Sequence, residues 1–213
     1  MISLHRSVLL AMSISSLLLY CSPRQCGFSV NHLYSRDKFS GSDLYEKSIG
    51  ICPLLRDTGY DTVQLLNSDS SFEELKKVRT DLHFASVSEM EKHFLKKWDQ
   101  DSLQLFYNLL FRGEIAVLQT RDSIWNAIKS DYYLVMRMAN ASTVKTFNNT
   151  VSKRLHLEAE LWDCRDQEVL WRTRVKGICV NSKTPDRQFL LEAIKSACSQ
   201  LPATLPSYGN QPW

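Results

Sequence analysis

Glycine is scarce in this chain: there are 7 in 213 residues, and Gly50, Gly59 and Gly113 stand far apart. A loop that cradles phosphate with backbone N–H groups needs clustered glycines, and no GxGxxG or Walker-type run occurs. Nucleotide hydrolysis is disfavoured accordingly. A charge excess of one sign is lacking too. The formal net charge is +3 with no concentrated basic run, unlike the cationic face that binds phosphate backbones, so no nucleic acid is expected as partner. The histidines show no HExxH and no paired zinc spacing, and there is no GxSxG elbow. His83 and His93 straddle a predicted strand and helix start, where a shared metal is the weaker reading. Asp163 and Asp166 fall in a predicted turn, where carboxylates hydrogen-bond nearby backbone rather than move protons. No catalytic residue, metal or cofactor is assigned, and the chain is expected not to be an enzyme.

Long hydrophobic runs are absent but for one. After a basic start ending at Arg6, Ser7–Tyr20 is free of charge and apolar on every side, and it ends at Cys21. The run is too short to span the roughly 30 Å of bilayer hydrocarbon comfortably, but it suits a signal-peptide core. A cysteine directly after that core resembles the lipobox of bacterial lipoproteins, in which the thiol receives diacylglycerol and becomes the new N-terminus. Leu18 matches its apolar −3 position; Tyr20 replaces the usual small residue before the cysteine. The resemblance implies lipidation at Cys21, an uncleaved anchor being the alternative. The expected organisation is a signal peptide over 1–20, a lipid-anchored flexible tether over 21–45, one domain over 46–202 and a loose tail over 203–213.

With Cys21 lipidated, Cys26, Cys52, Cys164, Cys179 and Cys198 remain, an odd number that cannot all pair internally. Cys164, Cys179 and Cys198 lie closest in sequence and are the first candidates for a disulfide in an oxidising compartment. Buried free thiols are the competing reading.

Within the domain, Lys47–Leu55 is an apolar strand stopped by Pro53, and Leu82–Ala85 fits a second. Ser70 with Glu73 and Ser86 with Glu89 carry capping-box spacing. Val87, Met90, Phe94 and Trp98 then recur on one helical face. Leu103–Phe111 and Ile115–Ile128 read as a helix pair broken at Gly113, with Phe106, Tyr107, Phe111 and Trp125 as core rather than a ligand box. Tyr132–Met138 is a buried strand. In Val151–Leu161 the residues Val151, Leu155, Leu157, Ala159 and Leu161 share one side, while Val169, Trp171 and Val175 do so after a turn through Cys164–Glu168. That register sets Glu158 and Glu160 opposite Arg172 and Arg174 on a face predicted to be solvated. These four residues are the sequence-visible candidates for a partner contact. Thr184 is read as the cap of a last helix opened by Pro185, with Leu190, Ile194, Ala197 and Leu201 as its inner stripe.

Taken together, Lys47–Leu55, Ser130–Val135, the hairpin segment Leu157–Gly177 with Asp163, Val169, Leu170, Trp171 and Gly177, and the helix ending at Leu201–Pro202 resemble a family: the TolB amino-terminal, CsgG and LpoB-like group of bacterial envelope domains. Gln167 stands where their turn glycine is usual. The resemblance covers roughly 46–202. It implies an α/β (α+β) fold, a mixed and largely antiparallel sheet with helices packed on it. It also implies a non-catalytic cell-envelope lipoprotein that acts on envelope proteins by contact, held by membrane lipid. A subunit of an oligomeric secretion complex is the alternative, and a periplasmic hydrolase the weaker one. Only Val151–Leu161 is long enough for a membrane-crossing strand, and Arg154, Glu158 and Glu160 on its outer face oppose that use.

Overall fold

The computed structural model describes residues 26–56, 59–60, 69–114, 121–145, 151–180 and 184–204. The leader with Cys21 and the tail beyond Thr204 lie outside the described residues.

The hairpin organises everything else. Strands β7 (Val151–Asp163) and β8 (Glu168–Val180) pair antiparallel in the register their alternation predicts, with Glu158 opposite Arg174 and Glu160 opposite Arg172. Leu155, Leu157, Ala159 and Leu161 are buried on one face with Trp171 and Val175. A register shift between Leu161 and Trp162 turns both Leu170 and Trp171 inward. At the turn, Arg165 N–H and Asp166 N–H donate to Asp163 Oδ1 at 2.8 and 3.0 Å. Gln167 there takes φ 59°, the left-handed conformation that a glycine adopts without steric cost.

β6 (Tyr132–Lys145) lies antiparallel along β7. On its other side β6 runs parallel to β2 (Ser48–Ile51) and β3 (Leu55–Arg56), which Pro53 separates, and β2 pairs with β5 (His83–Ala85). β4 (Gly59–Tyr60) adds a short antiparallel arm to β3. The sheet order is β1-β8-β7-β6-β2-β5, so the mixed, mainly antiparallel sheet of the sequence reading is the observed fold.

β1 is the departure. Cys26–Ser35, read as part of the tether, is an edge strand antiparallel to β8. Cys26, Phe28 and Val30 alternate inward against the core. Cys26 lies opposite Cys179 and is bonded to it, while Cys52, Cys164 and Cys198 are free. This corrects the expectation that Cys164, Cys179 and Cys198 supply the disulfide. Cys164 sits at the hairpin turn, at the far end of β8 from Cys179, and Cys198 points into the core from a helix. Proximity in sequence was outweighed by strand pairing. Exchanging Cys26 and Cys179 for serine is expected to cost about 2–4 kcal/mol, or about 5–15 °C in Tm. Scans with and without reductant check this, and coincident melts would count against it.

Helices cover both faces unevenly. One face packs on α1 (Gly41–Leu44), α2 (Asp69–Val78) and α6 (Asp186–Cys198), through Leu44, Leu75, Phe189, Leu190, Ala193 and Ile194. α6 starts beyond Pro185 with no side-chain cap, so Thr184 does not have the capping role assigned to it; its carbonyl instead accepts from Lys153 Nζ at 2.7 Å. The other face packs on α3 (Val87–Phe94), α4 (Gln100–Arg112) and α5 (Arg121–Ile128). The Ser86–Glu89 capping box is present, and Gly113 ends α4 at φ 72°. Phe106, Tyr107 and Trp125 are buried there with Phe94 and Tyr133, so these aromatics are core. The α3–α5 layer covers the β2, β3 and β6 side and reaches β7 at Glu160 and Trp162; among the described residues no helix lies on that face over the rest of β7, β8 and β1.

Candidate partner-binding face

The uncovered part of the sheet has an order along the strands, because every second residue of each strand faces it. At the Asp163–Glu168 end, Glu160 is 2% exposed. It receives Arg137 Nη1 at 2.5 Å and Trp162 Nε1 at 3.0 Å on Oε2, and Arg172 Nη2 at 2.7 Å on Oε1. Arg137 is held in turn by donating from Nε to the Leu110 carbonyl of α4 at 2.8 Å. One row on, Arg174 donates from Nε to Glu158 Oε1 at 2.9 Å, and Asn31 of β1 lies alongside. Next come Lys176 and His156, then Ile178 and Arg154, then Val180, Ser152 and Val144. Arg154, His156 and Lys176 are exposed. Ile178, Val180 and Val144 are 51%, 44% and 39% exposed.

The structure therefore brings all four sequence-predicted residues together but does not leave them solvated alike. Glu158, Arg172 and Arg174 line the open face. Glu160 lies beneath it, because α4 and Arg137 cover its end of β7. Glu160 accepts on both oxygens, from Arg137 and Trp162 on Oε2 and from Arg172 on Oε1, whereas Arg174 meets Glu158 on Oε1. Cys21 lies outside the described residues. Arg137 was missed, although a lone arginine inside the apolar run YYLVMRM signals a buried acid on a neighbouring strand.

Along β1, the edge strand offers a second kind of surface. Among the described residues β1 pairs with β8 on one side only, so no described strand lies beside its outer N–H and C=O groups, which makes it a template for strand addition. A register shift between His32 and Tyr34 leaves Leu33 and Tyr34 exposed, with Tyr34 opposite Arg172.

An open cleft of about 900 Å³ lies at the hairpin-turn end of the sheet, lined by Lys47, Ser48, Lys129, Asp131, Cys164 and Gln167 among others. Asp131 is occupied structurally: the Ser48 N–H and hydroxyl each donate to Oδ2 at 2.9 Å, and Lys47 Nζ donates to Oδ1 at 3.2 Å. Burial raises its pKa, and these donors outweigh that to hold it below the usual carboxylate value. Burial pushes the Cys164 thiol well up, so it is protonated and a poor nucleophile at neutral pH. Among the described residues no group of three or more His, Cys, Asp or Glu side chains is placed to hold a metal ion, and no helix is long and apolar enough to cross a membrane.

No family model matches the chain, and no curated protein does. Solved structures with a similar arrangement include the PelC dodecamer from Paraburkholderia phytofirmans, at 12% identity over 83% of this chain and 99% of that one, with a TM-score of 0.43. Lipoprotein GNA1162 from Neisseria meningitidis aligns at 14% identity over 71% and 94% of the two chains, with a TM-score of 0.45. The LpoB C-terminal domain from Salmonella enterica aligns at 13% identity over 66% and 85%, with a TM-score of 0.34.

Proposed function

We propose that this chain is a non-catalytic cell-envelope protein, held to a membrane through lipid on Cys21, that works by binding another envelope protein along the free edge of β1. The observation that carries the address is the Cys26–Cys179 disulfide. Such bonds persist in oxidising compartments and are rare in a reducing cytosol, which agrees with an export leader over 1–20. Mass spectrometry of the membrane-fraction protein is expected to find an N-terminus at diacylglyceryl-modified Cys21, and a Cys21→Ala variant is expected to lose the modification. An intact Met1, or an unmodified Cys21, rules the anchor out.

The contact reading is supported by Leu33 and Tyr34, large apolar side chains exposed on the edge strand beside Arg172. A photo-crosslinking residue in place of Tyr34, in intact cells, is expected to give one discrete protein adduct, and the same residue at Lys96 none. Adducts of equal yield and pattern from both positions would defeat the contact reading. The exposed sheet face also weighs against a membrane-crossing pore subunit, since a lipid-facing strand does not present Arg154, Glu158 and Arg174 outward.

A further inference from the structure

The cations of the open face are not spread evenly. Arg174 is satisfied by Glu158, and Arg137 and Arg172 by Glu160. Arg154 and Lys176, with His156, face the open side without an acidic partner among the described residues, and all three sit toward the Val180 end of the sheet. Ile178, Val180 and Val144 are exposed at that same end. A basic group of side chains beside exposed branched apolar ones is the composition that suits an interface between water and an anionic bilayer.

This is also the end at which the chain enters the domain. Cys26 and Gly27 pair with Cys179 and Ile178, and only Ser22–Gln25 separates Cys26 from Cys21. Five residue steps extend at most about 17 Å. Neighbouring strands are about 4.8 Å apart, which puts Arg154 on β7 about 10 Å from β1. With lipid on Cys21, the Val180 end of the sheet is confined close to the headgroups.

From this we infer that the open sheet face at Val144, Arg154, Lys176, Ile178 and Val180 rests on an anionic phospholipid surface, Arg154 and Lys176 reaching the headgroups and the three apolar side chains lying at the boundary. The inference rests on the Cys21 anchor reading. It orients the domain so that Leu33 and Tyr34, farther along β1, stay clear of the membrane for a partner.

The test uses the full lipidated chain, purified from membranes and reconstituted into vesicles of phosphatidylcholine alone or mixed with phosphatidylglycerol. A water-soluble amine-acylating reagent then marks lysines, read by peptide mass spectrometry. Acylation of Lys176 is expected to fall about fivefold in the anionic vesicles, the factor for one cation drawn to a charged leaflet, and to recover at high salt. Lys96 and Lys97 on the helical layer should label equally in both. Arg154→Glu, an exposed substitution, should restore Lys176 labelling in anionic vesicles while flotation is kept. Equal labelling of Lys176 in both vesicle types, on protein that floats with them, overturns this inference and leaves the anchor intact. Protein that fails to float with either vesicle defeats the anchor reading, and this inference with it.

Discussion

Arg79→Ala is expected to destabilise the domain by about 3–5 kcal/mol, the range for breaking one side of a buried ion pair. Arg79 is 7% exposed at the end of α2. Its Nη1 donates to the Leu201 carbonyl at 2.5 Å and the Cys198 carbonyl at 3.4 Å, and its Nη2 to the Pro202 carbonyl at 2.8 Å. The guanidinium thus meets the Cys198 carbonyl at the end of α6, which also accepts from the Leu201 N–H at 3.2 Å, and two carbonyls of the segment just beyond the helix. Nε and Nη2 also grip Asp81 at 2.8 Å. Asp81 Oδ2 in turn accepts from the Thr204 N–H and hydroxyl at 3.1 and 2.9 Å. Lysine cannot span this fork, so Arg79→Lys should recover only a part of the loss. Arg79 holds the Asp81 carboxyl well below the usual carboxylate range, helped by Thr204 and opposed by burial. A depressed folded pKa gives stability that is complete above the unfolded value, about 3.9, and declines as pH falls beneath it. The wild type should therefore lose stability in acid with a slope that Arg79→Ala lacks. Urea midpoints at neutral pH and at stepped acid pH measure both effects. A loss under about 1 kcal/mol would mean that the clamp carries no more than a surface ion pair.

Little of that clamp was legible in the sequence, whereas the hairpin was almost wholly so. In β7 and β8 the apolar and charged positions alternate with period two, and only one register pairs Glu158 and Glu160 with Arg174 and Arg172; local pattern and long-range pairing agree. Arg79 instead finds backbone carbonyls at 198, 201 and 202, and a carbonyl leaves no mark in residue type. β1 escaped for a different reason. Its inward residues are Cys26, Phe28 and Val30, a short alternation followed by a bulge at Leu33, and an edge strand against one neighbour needs no more. With β1 unseen, Cys179 was matched to Cys164 and Cys198, its neighbours in sequence, rather than to Cys26. The charged face was drawn correctly in register but not in exposure, since which rows α4 overlies depends on helix packing across the sheet. Its two clues were Arg137 within an apolar strand and Trp162 two residues from Glu160.

Glu160→Ala is expected to cost a similar 3–5 kcal/mol, and for that reason Glu160 belongs to the domain's stability rather than to its partner contact. Removing the carboxylate leaves Arg137, whose side chain is 12% exposed, as a buried charge met among the described residues by the Leu110 carbonyl, and strands the Trp162 indole N–H. Arg172→Ala should cost far less, about 1 kcal/mol or under, because that side chain is 42% exposed and water screens it. Replacing Arg137 and Glu160 together with methionine and leucine should lie nearer the wild type than either single truncation, since no buried charge is then left alone. Denaturation midpoints across this cycle, read beside photo-crosslinking from Tyr34, separate the two roles. A stable Glu160→Ala protein that has lost its Tyr34 adduct would return Glu160 to the partner surface. A destabilised one that still crosslinks when cooled would place the contact on β1 and on the Arg172–Arg174 side of the face, with Glu160 as the buried counter-charge that holds Arg172 in position.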